Sequence, residues 1–245
     1  MLDLTSRGRC FVIAEAGTAH ADPGPDERFR KALSYVEAAK SAGADAVKFQ
    51  MFAMPVREDM FCWIDGDEAR LPRWVASQLP LAQWCQVKEF AEANGLVFLA
   101  SAFQNETVKW LVDLKVEATK VASRAAKDFP YDEAPKPWLV STGMGLPEGR
   151  AFWEPEAYLF QCEAKYPSTS EWLKGEAPIE FPGFSDHSGK PFLGIDAISR
   201  GCKLLEVHYR IEDVDAGPDL PACLTWDELK LVCEARDYHA RRKAA

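Results

Sequence analysis

Short apolar segments that alternate with helical patterns are the feature that most restricts the fold of this chain. The segment 10–15 (CFVIAE) is apolar without polar alternation, as expected of a strand buried on both faces. Apolar residues at helical spacing follow over 26–42, and Gly43 is expected to end that helix. Further strands are predicted at 45–50, 96–101, 118–122, 138–141, 158–162, a short run ending at Ser185, and 204–208. Further helices are predicted at 81–94, 105–114 and 191–201.

This rhythm of strand and helix predicts an α/β protein, a closed (β/α)8 TIM barrel. Strands connected through helices pair in parallel with right-handed crossovers, and eight such units favour a closed barrel over an open doubly wound sheet. The chain has neither a GxGxxG sequence after its first strand nor a GxxxxGK[ST] sequence, so dinucleotide-binding and P-loop folds lack their usual signature. Its 245 residues are enough for one barrel, and we predict a single domain over 1–245.

The middle sectors of the barrel are predicted to have shortened outer helices. The linkers between 123 and 138 and between 144 and 158 are short and rich in proline, which interrupts a helix. Residues 51–80 form a long insertion after the second strand, which predicts a lid or a binding loop. The basic tail that begins at Arg236 is expected to be a fraying helix end.

Charge and composition exclude several function classes. The formal net charge of −9 argues against a general nucleic-acid surface, although a few local cations could still hold a small anion. No apolar run approaches the ~18 residues of a membrane span, and the N-terminus lacks the pattern of a signal peptide. We therefore expect a cytoplasmic protein with no membrane or nucleic-acid partner. The seven cysteines include no CxxC pair, and most of them stand in apolar runs, where they are expected to be buried as small apolar residues.

Polar residues at the predicted strand ends mark a candidate site, because catalytic groups of TIM barrels lie at the carboxyl ends of the strands. Lys48 and Lys120 stand within apolar segments, where a buried lysine needs an anionic partner. Two lysines and several hydroxyls at one barrel mouth predict a cradle for phosphate or carboxylate. The alternative is that each lysine pairs with a local carboxylate.

Two histidines close neighbouring strands of the predicted barrel. His187 follows the run that ends at Ser185, and His208 ends the segment 204–208, one βα unit later. Two imidazoles at neighbouring strand tops could share a divalent metal, with water and substrate at the remaining positions. Taken alone, each could equally be a structural histidine. His20, beyond the first strand, is expected to line the same mouth.

Together these segments resemble the N-acetylneuraminate (sialic acid) synthase family, whose members condense phosphoenolpyruvate with an amino sugar such as N-acetylmannosamine in a metal-dependent barrel. The resemblance runs through almost the whole chain. The matching segments are 13–17 (IAEAG) with His20, 42–50 (AGADAVKFQ), 98–103 (FLASAF), 119–123 (TKVAS), 140–144 (VSTGM), Cys162 with Tyr166 and Pro167, 183–187 (GFSDH), 206–209 (EVHY) and 217–219 (GPD).

The resemblance implies a role for each matching position. The residues implied to bind phosphoenolpyruvate are Lys48, Ser101, Lys120, Ser123, Ser141 and Ser185. The implied metal ligands are His187 and His208, with Mn²⁺ or Mg²⁺ as the metal, and the residues implied near the sugar are Gln50, Tyr166 and Asp219. The implied catalytic residues are Glu15, Lys48, Lys120 and Glu206, and a carboxylate such as Glu206 is expected to help activate water. Family members are commonly dimers, so a homodimer is the oligomer that the resemblance implies.

Several positions depart from the family pattern. Arg124 and Ala125 stand where the family has a glycine and a sugar-site glutamate, so Arg124 is expected to bind the acceptor and to favour a more anionic one. Ala19 replaces an asparagine before His20, and Arg210 replaces a threonine. The chain also ends where the family usually continues into a C-terminal antifreeze-like domain, so we expect the catalytic barrel alone.

The leading hypothesis is a metal-dependent synthase that condenses phosphoenolpyruvate with a sugar-type aldehyde, N-acetylmannosamine or a related acceptor, to give a 2-keto-3-deoxy sugar acid and phosphate. One alternative is a pyruvate-type aldolase in the same barrel, with a Schiff base on Lys48 or Lys120. A third reading, motivated by the departures above, is a non-catalytic relative that acts in binding or assembly.

Overall fold

Parallel strands close into a barrel in the computed structural model, which describes residues 4, 8–56, 60–64, 66–153, 155–169 and 180–244. The strands are β1 (Phe11–Gly17), β2 (Ala46–Met51), β3 (Val97–Ala102), β4 (Thr119–Val121), β5 (Trp138–Ser141), β6 (Ala157–Cys162), β7 (Gly183–Asp186), β8 (Leu204–Arg210) and β9 (Leu224–Thr225). Each of β1 to β8 pairs in parallel with the next, and β1 also pairs with β8, which closes the ring. The predicted (β/α)8 barrel is confirmed; the two-residue β9, which pairs with the end of β8, was not predicted.

The helices surround this ring on the outside. They are α1 (Pro25–Ala42), α2 (Leu71–Ala76), α3 (Leu81–Ala93), α4 (Asn105–Asp113), α5 (Pro191–Ser199), α6 (Asp213–Ala216) and α7 (Trp226–Ala244). Gly43 has a φ of 88° and ends α1, as predicted, because a residue without a side chain adopts this left-handed conformation at little cost. None of the described helices combines the length and the apolar run needed to cross a bilayer.

Outer helices are shortened in the middle sectors, as predicted from their prolines. Between β4 and β5 the described chain forms only a 3-10 turn (Tyr131–Glu133), and the described residues between β5 and β6 form no helix. Aromatic packing covers the barrel there instead. The Arg150 guanidinium lies 4.9 Å from the centre of the Tyr131 ring and 5.7 Å from that of Trp138. These stacked contacts cover the outside of the barrel in the sector where other sectors have a helix.

Side chains alternate along each strand between the barrel interior and the helical layer, and this alternation positions the site. Phe11 and Ile13 belong to a small apolar cluster with residues from the other strands, such as Leu204, whereas Val12 and Ala14 belong to the larger cluster that includes helix residues. Glu15 and Glu206 each follow one of these inner residues, Ile13 and Leu204, by two positions, so both point into the barrel. The interior is therefore apolar at the amino ends of the strands and polar at their carboxyl ends.

The last helix is fastened to the amino end of the barrel. Arg236 on α7 is 3% exposed, and its Nη1 lies 2.7 Å from Asp45 Oδ2. Arg9 binds the same carboxylate at 2.6 Å. The expectation that the basic tail frays from Arg236 onward is therefore wrong for Arg236, because its charge is neutralised by a carboxylate that precedes β2.

Candidate active site

The predicted site residues converge at the carboxyl ends of the strands. They surround a cavity of about 540 Å³, which all of them line except Ser101. Ser101 lies just beneath, where its Oγ accepts a hydrogen bond from Lys48 Nζ at 3.0 Å. The structure thus brings together side chains from all eight barrel strands or from the loops that follow them. Their individual roles stay predictions.

Lys48 and Glu15 form one of two buried ion pairs in the cavity. Glu15 Oε2 lies 2.6 Å from Lys48 Nζ, and both side chains are almost fully buried. Burial raises the pKa of Glu15 to about 7, against the opposing pull of the Lys48 charge. Burial alone would lower the pKa of Lys48, but the charges of Glu15 and Glu206 raise it. Lys48 is therefore a fixed cation, beside a carboxyl group that can exchange its proton near neutral pH.

Lys120 and Glu206 form the second pair, which is looser. Lys120 Nζ lies 3.5 Å from Glu206 Oε2 and donates to Ser141 Oγ at 2.6 Å. Glu206 Oε1 accepts a hydrogen bond from the Ser185 hydroxyl at 2.9 Å. Burial would raise the pKa of Glu206, but the charges of Lys120 and Lys48 lower it to about 2. Burial also lowers the pKa of Lys120 in spite of Glu206. Each lysine therefore pairs with a carboxylate and still lines the cavity with hydroxyl groups. The carboxylate pairing that we gave as the alternative is thus compatible with the predicted anion cradle.

Cys162, at the end of β6, lies next to Ser123, which lines the cavity. Its Sγ lies 3.1 Å from the hydroxyl of Ser123. A side chain at Gly143 would meet this sulfur and the backbone around it, so a glycine is needed where the loop after β5 crosses β6. The sequence showed Cys162 only as part of a matching segment, since an isolated cysteine carries no signal of its surroundings.

Two imidazoles and one phenol meet beside the second ion pair, where Ser185 Oγ lies 3.3 Å from His187 Nε2. The Tyr166 hydroxyl lies 3.3 Å from His187 Nε2 and 3.4 Å from His208 Nε2, and the Tyr166 ring stacks on His187. His187 Nδ1 is 2.7 Å from the carbonyl oxygen of Glu163, a contact that requires the proton on Nδ1 and makes Nε2 the acceptor toward the hydroxyls of Tyr166 and Ser185. Burial lowers the pKa of both histidines, which favours the neutral form of each.

This arrangement suits a divalent metal in its donor chemistry. Neutral imidazoles are metal ligands, and a hydrogen bond from Nδ1 to a carbonyl is the usual device that orients them. Among the residues that the structure describes, no three His, Cys, Asp or Glu side chains are grouped so as to hold a metal by themselves. Two imidazoles would therefore leave several coordination positions to water and substrate.

The inserted segment forms the wall of the cavity that faces the predicted acceptor residues. Ile64, Arg70, Arg73 and Trp74 line it together with Gln50 and Asp219. This fits the prediction that residues 51–80 form a lid or binding loop, although 57–59 and 65 lie outside the described residues. The sequence did not single out Arg70 and Arg73. Their spacing of three residues was the available signal, because it puts both on one side of a helix.

Arg124 fastens this inserted wall to the barrel. Its Nη2 forms an ion pair with Asp67 Oδ2 and donates to the carbonyl oxygen of Cys62 at 3.1 Å. Its guanidinium also lies 5.6 Å from the centre of the Trp74 ring. Arg124 lines the cavity, as predicted for an acceptor residue, but its charge is already matched by Asp67.

His20 does not line the cavity, contrary to expectation. It is fully buried behind β2, edge-on to Phe49 and Trp84 with ring centres 5.4 Å away in each case. Its Nε2 lies 2.7 Å from the carbonyl oxygen of Ser77, the residue that follows α2. The backbone turns after β1, so this side chain packs beneath the inserted segment rather than into the mouth.

Comparison with known protein families gives one match that spans most of the chain. The model of the NeuB family matches residues 35–243, and so includes β2 to β9 and nearly all of the cavity.

Individual relatives agree with this match. The chain is 28% identical to pseudaminic acid synthase of Campylobacter jejuni over 257 residues, covering 93% of this chain and 73% of that protein. It is 29% identical to N,N'-diacetyllegionaminic acid synthase of Legionella pneumophila over 260 residues, covering 93% of this chain and 72% of that protein. In fold it is similar to the N-acetylneuraminic acid synthetase of Leptospira borgpetersenii, with a TM-score of 0.77 and 21% identity over 97% of this chain and 86% of that one.

Proposed function

The chain belongs to the NeuB family of sugar-acid synthases, and from this we propose that it condenses phosphoenolpyruvate with a sugar-type aldehyde to give a 2-keto-3-deoxy sugar acid and phosphate. The observation that carries the proposal is the pair of buried lysines, Lys48 and Lys120, which face one cavity together with hydroxyl groups. Each lysine is balanced by one carboxylate, and each also contacts a serine hydroxyl.

Phosphoenolpyruvate matches this donor set. Its phosphate and carboxylate need charge-assisted hydrogen bonds, which ammonium groups and hydroxyls at short range supply. Lys120 is the more available cation, because its carboxylate partner lies 3.5 Å away, whereas that of Lys48 lies at 2.6 Å. We assign Lys120, Ser123, Ser141 and Ser185 to the phosphoenolpyruvate end, with Lys48 and Ser101 behind them.

His187 and His208 are the residues that would hold a divalent metal, Mn²⁺ or Mg²⁺. When bound, the metal would polarise the aldehyde oxygen of the acceptor. The Nε2 atoms of the two histidines both approach the Tyr166 hydroxyl, so this phenol occupies the point on which the two ring nitrogens converge. Tyr166 must therefore turn aside when the histidines take a ligand, which couples its position to acceptor binding.

The reaction requires a proton to be delivered and one to be removed. Carbon C3 of phosphoenolpyruvate bonds to the aldehyde carbon, whose oxygen gains a proton. Water then adds at C2 and loses one proton, which leaves a hydroxyl group on C2. The bond between C2 and the phosphate oxygen then breaks, the C2 hydroxyl becomes the ketone, and its proton passes to the departing phosphate. Glu15, whose pKa is about 7, suits these transfers. Glu206, whose pKa is about 2, is a weak base but a permanent negative charge that would stabilise cationic character at C2. We therefore assign proton transfer to Glu15 and revise the expected role of Glu206.

Phosphate release tests the proposal directly. The purified protein is incubated with Mn²⁺ or Mg²⁺, phosphoenolpyruvate and a panel of aldoses and N-acylated hexosamines, and phosphate is measured with and without each acceptor. Acceptor-dependent release, together with a product that contains one pyruvyl unit, supports the synthase. If no acceptor stimulates release although phosphoenolpyruvate binds by calorimetry, the synthase assignment is wrong.

One feature of the site favours the aldolase as a second candidate. Burial lowers the pKa of Lys120, and a less basic lysine is a better Schiff-base nucleophile. Borohydride treatment in the presence of pyruvate separates the two reactions, because the aldolase would acquire a covalent adduct on Lys120 and the synthase would not. Lys120→Met is the matched control, since it removes the amine.

A further inference from the structure

Three arginines face the acceptor end of the cavity, and their charges are not matched by an equal number of carboxylates. Arg70 and Arg73 come from the inserted segment, and Arg124 from the loop after β4. The 3-10 turn Asp67–Arg70 continues directly into α2, so residues 70 and 73, three apart, lie on the same side of the helix and both reach the cavity.

Asp67 balances only one of these three charges. It is 2% exposed and forms an ion pair with Arg124, while its Oδ2 also accepts the backbone N–H of Ile64 at 3.1 Å. Arg70 approaches the same carboxylate only through Nε, at 3.8 Å from Oδ1. A single buried carboxylate thus serves two guanidinium groups, and Arg70 keeps both of its terminal nitrogens free of any described partner.

Arg73 is bound by neutral oxygen atoms. Its Nε donates to Thr18 Oγ1 and its Nη2 to the Thr18 carbonyl oxygen, both at 2.9 Å, and Nη2 also donates to the carbonyl oxygen of Asp215. In the part of the chain that the structure describes, no carboxylate lies within ion-pair distance of this guanidinium, and its Nη1 donates to no acceptor. The carboxylates of Asp219 and Asp215 act on Arg73 only through space, so direct contact between this half-buried guanidinium and an anion is left to a bound ligand.

Asp219 is the remaining carboxyl group at this end. Burial raises its pKa, while Arg70 and Arg73 act in the opposite direction. Its carboxyl group lies beside Gly17, and the charges of Arg70 and Arg73 act on it more strongly than that of Lys48, although neither arginine forms a direct ion pair with it in the described structure. Even with Asp219 ionised, the acceptor end carries three cations against two carboxylates.

We propose that the acceptor carries an anionic group, a phosphate ester or a carboxylate, at the end remote from its aldehyde, and that Arg70 and Arg73 bind this group. The inference rests on the proposed function, because it names the substrate class of the same site. The proposal replaces the expectation that Arg124 binds an anionic acceptor, because the Arg124 charge is paired with Asp67 in the inserted segment.

The test compares acceptors that are identical except at C6. N-acetylmannosamine, its 6-phosphate and the corresponding 6-carboxylate are assayed for acceptor-dependent phosphate release from phosphoenolpyruvate. We expect kcat/KM to be at least about tenfold higher for one or both anionic sugars, and which of them is preferred separates phosphate from carboxylate recognition. Equal or better use of the neutral sugar would overturn the inference and leave the proposed function intact.

Variants identify the residues that cause the preference. In Arg70→Gln the ratio of kcat/KM for the anionic over the neutral acceptor should fall toward one, and Arg70→Lys should restore part of it. Arg73→Gln should have the same effect, but it also removes hydrogen bonds to Thr18 and Asp215 and could destabilise the fold. Arg70 forms no hydrogen bond in the described structure, so Arg70→Gln tests the preference without that complication. Arg30→Gln, on the exposed side of α1, is the matched control and should keep the wild-type ratio. An unchanged ratio in Arg70→Gln and Arg73→Gln contradicts the assignment.

A binding measurement decides the inference even if no acceptor reacts. Calorimetry with the reduced, unreactive alditols of the neutral and the 6-phosphorylated sugar reports the same preference without turnover. If nothing releases phosphate, the proposed function fails; a tighter phosphorylated alditol would still support an anion site at Arg70 and Arg73, and equal binding would exclude one.

Discussion

Glu15 and Lys48 are direct partners in the parallel pairing of β1 with β2, and their charged groups meet at 2.6 Å inside the barrel. The equivalent contact between Glu206 and Lys120 is 3.5 Å, so the two halves of the charged layer are unequal. The shorter pair holds Lys48 in place, and the longer pair leaves Lys120 able to take an incoming anion. Because the two distances differ, we expect different roles for Lys48 and Lys120, although both are lysines within apolar strands.

Replacement of Glu15 by Gln should lower kcat by about two to four orders of magnitude, because the variant cannot transfer a proton but keeps the shape of the side chain. Binding of phosphoenolpyruvate should change much less, since Lys120 and the serines remain. Steady-state kinetics and calorimetry measure the two effects separately. Glu156→Gln, in an exposed ion pair with Lys136, is the matched control. A Glu15→Gln variant with wild-type kcat would show that Glu15 is not the proton-transfer group.

Replacement of Lys120 by Met should weaken phosphoenolpyruvate binding by about tenfold to a thousandfold, because a buried charge-assisted contact is lost and Glu206 remains without its nearest cation. The expected result is a raised KM and a raised dissociation constant for phosphoenolpyruvate, with an unchanged circular dichroism spectrum. Lys136→Met removes a lysine from an exposed pair with a 2.7 Å contact and serves as the control. Unaltered binding in Lys120→Met would move the phosphate to another part of the cavity.

Replacement of His187 by Ala should abolish activity and Mn²⁺ binding together, because it removes one of the two imidazoles that we propose as metal ligands. Titration of the substrate-free protein with Mn²⁺ gives the binding readout, and dialysis of the wild type against a chelator should remove activity until Mn²⁺ or Mg²⁺ is returned. His239→Ala, on α7 and away from the cavity, should behave as wild type. Full activity in His187→Ala, or in the chelated wild type, would refute the metal assignment.

The barrel was predictable because its signal repeats. Each strand is a short apolar run, and charged residues such as Lys48 and Glu206 interrupt these runs on the inward side toward the carboxyl end. The fold rule for TIM barrels then suffices to bring them to one mouth. Strand bounds differ by at most two residues between prediction and structure. The described residues between β4 and β6 form no long helix, for the reason that their prolines indicated.

The details of the acceptor end were not predictable, since they depend on contacts between segments far apart in the sequence. Arg124 meets Asp67, and Arg73 meets Thr18 and the carbonyl oxygen of Asp215. No spacing rule indicates which arginine finds a carboxylate and which finds only neutral oxygens. We expected His20 at the barrel mouth because it follows β1 closely. The backbone turns after β1, and the His20 side chain instead contacts the carbonyl oxygen of Ser77.

The burial of His20 should make stability fall as pH is lowered from about 6.5 to about 4. Burial lowers the pKa of this histidine from 6.5 to about 4, although the hydrogen bond to the Ser77 carbonyl opposes the shift. In this range the unfolded chain takes up a proton that the folded protein does not, so the free energy of unfolding decreases by about 1.4 kcal/mol per pH unit. The stabilisation is fully present above pH 6.5 and lost by pH 4, a total of up to about 3 kcal/mol.

Urea unfolding of the wild type and of His20→Gln between pH 7.5 and 4.5 tests this contribution. The buried histidines of the cavity also favour the neutral form, so the informative quantity is the difference between the two proteins at each pH. His20→Gln should be less stable at pH 7.5, because it fills the space between Phe49 and Trp84 less well, and the difference should narrow as pH falls. His239→Gln should follow the wild-type curve. A difference independent of pH would mean that His20 binds protons equally in the folded and unfolded states, and that its position under the inserted segment leaves it open to water.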